Sequence, residues 1–173
     1  MTRIAFFVSI GFSFIAWGMV AARYIWPALR HRSCAEALRP LLVLHSFRFL
    51  GLAFLVPGVV SPDLPPAFAH SAAFGDLVSA TVALLALMTL RAGAVGTVIA
   101  WIFNLWGSAD LLNAFYHANS AGLLPGQLGA TYFIPTFVVP LLLITHALAF
   151  RILLQHRSES SESTMRENRR QPA

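Results

Sequence analysis

Five apolar stretches, each about 20 residues long, restrict what this chain can fold into more than any other feature. They run from Ala5 to Trp26, Pro40 to Ser61, Ala67 to Leu90, Ala94 to His117 and Ala130 to Phe150. A helix rises about 1.5 Å per residue, so each stretch matches the hydrocarbon thickness of a bilayer, about 30 Å. A soluble fold is excluded on charge. Hydrophobic residues make up 57% of the chain and charged residues 11%, too few to cover the surface of a soluble domain. The sequence therefore predicts an all-α, polytopic membrane helix bundle of five transmembrane helices in one domain, residues 1–156. From residue 157 the chain turns to serine, glutamate and arginine, which predicts a disordered cytoplasmic tail over 157–173.

The net charge of +5 could suggest nucleic acid until the basic residues, all arginine, are placed. Arg3 alone precedes the first stretch, whereas Arg23, Arg30, Arg32 and Arg39 follow it, Arg91 follows the third, and Arg151 and Arg157 end the fifth. The loops at 61–66 and 118–129 carry no arginine. The positive-inside rule then places the amino terminus outside and the carboxyl terminus inside, with the first stretch kept rather than cleaved as a signal peptide. The expected location is a bacterial cytoplasmic (inner) membrane. Its partner is the lipid bilayer, with no nucleic acid, and a slender five-helix bundle also allows a homo-oligomer or a partner membrane subunit.

Polar residues inside apolar stretches are costly and so carry the functional reading. Arg48 lies about eight residues, roughly 12 Å, from the inner end of its stretch, and Asp76 about 13.5 Å from the outer end of the next. A height difference of roughly 5 Å is within the reach of an arginine, so the two are expected to pair. Ala72, Ala73, Ser79, Ala80 and Ala83 share the Asp76 face, and small residues there predict close helix packing rather than lipid. In the fourth stretch Asp110, Asn113 and His117 recur on one side, with Asn104 near the middle and pointing elsewhere. One arginine cannot be expected to serve both aspartates, so Asp110 should either carry a proton or pair with His117.

The histidines suggest a second chemistry. His45 and His146 fall at one depth and His70 and His117 at another, the layout of paired axial ligands for haem b on facing helices. Each could equally be a hydrogen-bonded helix-packing residue. Pro135 and Pro140 should kink the fifth helix, as should Gly51, Pro57 and Gly58 the second. No metalloprotease, nucleophile-elbow or phosphate-loop motif occurs, and the single Cys34 has no partner for a disulfide or a zinc site. No catalytic residue or metal ligand is assigned, and an enzyme is not expected.

The functional expectation is a buried polar site that binds or transports a small molecule or protons. Arg48 would supply a fixed charge for an anionic group and Asp76 would orient it. Asp110, Asn113 and His117 would line an outer approach, with Asn104 in the same polar centre. The alternatives are a b-type haem electron carrier and a non-catalytic scaffold or assembly subunit whose buried polar residues only lock helix packing.

Overall fold

A computed structural model describes the backbone of residues 2–170 and the side chains of residues 3–157. Among them no strand forms, only an isolated bridge between Pro57 and Val60. Five helices are long and apolar enough to cross a membrane: Arg3–Leu29, Cys34–Leu55, Pro66–Thr89, Ala94–Ser120 and Ile134–Arg157. The second to fifth form a closed bundle, with the third packed on the second and fourth and the fifth on the same two. The first helix lies outside it. Only 6% of its apolar window is buried, against 44% for the fifth helix, on which it packs. Two hydrogen bonds clip it, one from Trp17 Nε1 to the Phe137 carbonyl of that helix at 3.1 Å and one between Ser9 Oγ and Tyr132 Oη, just before the helix, at 3.3 Å.

The third and fourth helices fall close to their expected bounds, whereas the second begins at Cys34 rather than Pro40 and ends at Leu55 rather than Ser61. Its start is set by capping. Ser33 Oγ accepts from the Glu36 N–H at 3.4 Å and donates to the Glu36 carboxylate at 3.0 Å, so the helix begins well before the apolar residues do. Its end is set by a turn in which Val56 is extended and Gly58 has φ 82°. Pro57 and Gly58 therefore lie in that turn and do not kink a helix.

The last part of this helix, Phe47–Leu55, winds as 3₁₀. With three residues per turn, side chains spaced by three eclipse one another, so Arg48, Gly51 and Phe54 form one inward ridge, and all three are buried. The tighter winding also corrects the height. Arg48 is seven residues from the helix end, about 14 Å at 3₁₀ rise, and Asp76 is ten from its helix start, about 15 Å at α rise. The two residues are level.

The fifth helix opens with a π-turn, Ile134–Val138, and so begins later than the expected Ala130. Pro135 sits at its first turn, where a missing N–H breaks no helical bond, and only Pro140 lies further in. The loop before it is bonded to the loop after the second helix. The Ala130 N–H donates to the Val59 carbonyl at 2.8 Å and the Ser61 N–H to the Gln127 carbonyl at 3.1 Å. Gly129, at φ 53°, makes this possible, since any Cβ there would meet the Val59 carbonyl. At its other end the helix continues to Arg170, through the segment where the sequence predicts disorder. Extending an established helix needs no new nucleus. The side chains from 158 onward and residues 171–173 lie outside the described residues.

The apolar core is divided. A cluster including Leu38, Leu42, Ala86, Phe103 and Leu153 fills the end away from the amino terminus, and a smaller one around Phe54, Phe68 and Leu128 lies at the amino-terminal end. The polar residues lie between them. Ala72, Ala73, Ser79, Ala80 and Ala83 are all buried, so the Asp76 face of the third helix does point inward.

Candidate functional site

Arg48 projects from the 3₁₀ ridge into the middle of the bundle, where its side chain is 1% exposed. Its Nε donates to Asp76 Oδ1 at 2.7 Å, the expected pair. Its Nη2 donates to Asp110 Oδ2 at 2.6 Å, and its Nη1 to the Gly107 carbonyl at 3.1 Å and to His146 Nε2 at 3.4 Å. All three guanidinium nitrogens are engaged. Each helix of the closed bundle contributes: Arg48 from the second, Asp76 from the third, Gly107 and Asp110 from the fourth and His146 from the fifth. The fan-shaped guanidinium can serve two carboxylates at once, which a lysine ammonium would do with far poorer geometry.

The sequence predicts that Asp110 holds a proton or pairs with His117. Its partner is Arg48 rather than His117, because Arg48 lies between the third and fourth helices and reaches both. Asn104, six residues from Asp110 and so on another side of the fourth helix, still joins the cluster. It is fully buried, its Oδ1 lies 2.7 Å from His146 Nδ1, and its Nδ2 donates to the His146 carbonyl at 3.3 Å. Because Arg48 can only donate, His146 Nε2 accepts and the ring proton sits on Nδ1, facing Asn104 Oδ1. Asn104 thus fixes the ring that receives Arg48.

Asn113 and His117 stay outside the cluster. The stripe of the fourth helix that faces the interior here is centred on Leu111, Ala114 and Ala118, with Asp110 at its edge and Asn113 and His117 beyond that edge. Asn113 is exposed, and the His117 ring packs edge-on to Tyr116 at 5.7 Å.

Neither expected histidine pair has the geometry of a haem site. The His45 and His146 ring centres are 4.1 Å apart, and three of the four ring nitrogens are committed to Thr145, Asn104 and Arg48. Rings in direct contact leave no place for an iron and its macrocycle between them. His70 is exposed and stacks on Phe74, while among the described residues no ring contact joins it to His117. Thr145 Oγ1 spends its proton on the backbone carbonyls of Leu141 and Leu142, so it accepts from His45 Nε2 at 3.0 Å. Among the described residues, the His45 Nδ1 acceptor is left buried without a partner, as is Ser79 Oγ.

Three glycines make the cluster possible, and the sequence reading missed their role. A methyl group on Gly51 would collide with the Asp76 carboxylate, one on Gly75 with the Asp110 carboxylate, and one on Gly107 with the His146 ring and Arg48 Nη1. A signal was present. Gly51 follows Arg48 by three residues, Gly75 adjoins Asp76, and Gly107 precedes Asp110 by three. A glycine beside each buried charge marks a place where another polar group approaches the backbone.

Asp76 and Asp110 also line a cavity of about 380 Å³ that reaches the exposed residues Arg3, Asn119 and Gly122 at the amino-terminal end. From Asp110 to Asn119 along the fourth helix is about 13.5 Å, which gives its depth. Its walls include Phe6, Phe54, Phe68 and Phe115. An apolar chamber with a few convergent polar groups at its base is the usual form of a small-molecule site. Below the carboxylates, the cluster around Leu42 and Phe103 closes the interior.

Fold and site together define an all-helical protein with helices of membrane-crossing length and a charged cluster at the base of an apolar cavity. By sequence, residues 5–154 match the family described as Domain of unknown function (DUF8737), and the chain belongs to that family. No curated protein and no solved structure matches it at a significant level.

Proposed function

We propose that this is an integral membrane protein, amino terminus outside and carboxyl terminus inside, that binds a small molecule in the cavity above Asp76 and Asp110. The observation that carries the reading is the meeting of two carboxylates with an aromatic-walled chamber open at one end. Large apolar side chains such as Phe12, Ile15, Met88 and Leu112 cover the outside of the helices, as lipid contact requires. Basic residues gather at the end opposite the cavity mouth, which supports the orientation. In this reading Arg48 holds the two carboxylates in place and does not itself meet the ligand. Exchange across the membrane, of the ligand or of protons, would require the inner apolar cluster to part.

With Cys34 replaced by serine, a cysteine at Asn119 should react with a membrane-impermeant maleimide on intact cells, and one at Arg91 should not. The reverse pattern would invert the topology. For the site, Asp76→Asn keeps an oxygen for Arg48 Nε and should fold, yet alter the affinity or the pH response of small aromatic amphiphiles in a thermal-shift titration. Ala114→Trp, which fills the cavity, should abolish their binding. Unchanged binding in Ala114→Trp would rule the cavity out, and unchanged affinity and pH response in Asp76→Asn would remove Asp76 from the site.

A second reading has its own observation. Because every guanidinium nitrogen is already engaged within the protein, the cluster could serve only to lock the bundle, as in a scaffold subunit. That reading predicts that Asp76→Asn changes stability and nothing else.

A further inference from the structure

We propose that the polar end of the ligand is a cation with N–H donors, an ammonium or amidinium group on an apolar body, seated against Asp76 and Asp110. This rests on the cavity reading above and deepens it. The sequence alone suggests the opposite sign, with Arg48 receiving an anion. Arg48, however, is 1% exposed, does not line the cavity, and has no guanidinium nitrogen free of a protein partner. An anion entering the chamber would pass Arg3 at the mouth but meet only carboxylates at the base.

The carboxylates are placed to receive a donor. Both residues line the cavity, and among the described residues Asp76 Oδ2, which lies beside Gly51, and Asp110 Oδ1, which lies beside Gly75, make no hydrogen bond. One arginine between two aspartates also leaves a formal charge of −1 where water is scarce, a charge that a cation would balance. The walls agree, because phenylalanine faces attract cations as well as apolar groups, and Phe54, Phe68 and Phe115 stand along the chamber. A volume of about 380 Å³ and a depth of about 13.5 Å suit one aromatic ring on a short alkyl chain.

Three probes of one shape test the sign of the charge: 4-phenylbutylamine, 4-phenylbutanol and 4-phenylbutyrate, titrated calorimetrically into the full-length protein in mild detergent. The amine should bind about tenfold more tightly than the alcohol, the difference expected of a charge-assisted hydrogen bond, and the acid should not bind. Asp110→Asn should remove most of the amine's advantage over the alcohol. If the alcohol or the acid binds as tightly as the amine, the cationic class is wrong and the cavity reading stands. If none of the three binds, or if Ala114→Trp leaves their binding intact, the cavity reading fails with it. The wild-type series decides the matter even if Asp110→Asn does not fold.

Discussion

Arg48→Ala is expected to lose about 3–5 kcal/mol of stability, enough to deplete the folded protein from membranes. The substitution removes the partner that Asp76 and Asp110 share and takes the donor from the Gly107 carbonyl and from His146 Nε2, all in the middle of the bundle. Two carboxylates would remain side by side without a counter-charge. The cause can be separated from mere loss of packing. In an Arg48→Ala, Asp76→Asn, Asp110→Asn triple variant no buried charge is left unpaired, so much of the loss should return. Thermal unfolding in detergent, with folded yield as a second readout, checks both. Arg48→Ala as stable as the wild type would mean that the cluster does not hold the four helices together.

Gly107→Ala should lower stability by about 1–3 kcal/mol, a large effect for one methyl group. Gly107 sits where the fourth helix passes under the His146 ring and Arg48 Nη1, and a Cβ there meets both. Either the ring leaves Asn104 or the guanidinium leaves the Gly107 carbonyl, so one methyl group disturbs two hydrogen bonds. Gly18→Ala is the control, because no described residue lies within 4 Å of a methyl group at that position. There the higher helix propensity of alanine should leave stability unchanged or raise it by up to about 1 kcal/mol. Thermal unfolding of the two variants side by side gives the comparison, and equal melting points would contradict the tight approach at Gly107.

The different origins of these two expectations show what could be read from the residues and what could not. That Arg48 must have a partner inside the bundle, and that Asp76 is the nearest candidate, follows from the cost of an unpaired charge and from counting along two adjacent helices. The inward face of the third helix is likewise legible, since Ala72, Ala73, Ala80 and Ala83 repeat at helical spacing and are all buried. That Asn113 and His117 stand outside the cluster has a reason of the same kind. Periodicity places them on one side of the fourth helix with Asp110, but it does not say where the neighbouring helices make the edge of that side.

What the sequence by itself determined was the all-helical class, five helices of membrane-crossing length and a polar centre built on Arg48 and Asp76. These depend on apolar run length and on the cost of charge in an apolar medium, both local properties of the chain. Only the tertiary structure decided that one guanidinium serves both aspartates, that Asn104 reaches Arg48 through His146, and that the carboxylates rather than the arginine face the cavity. These depend on how four helices are rotated against one another, on the 3₁₀ winding that brings Arg48 level with Asp76, and on three glycines that let polar groups approach backbone. Rotation and approach distance are set jointly by side chains far apart in sequence, so no single stretch of the chain contains them.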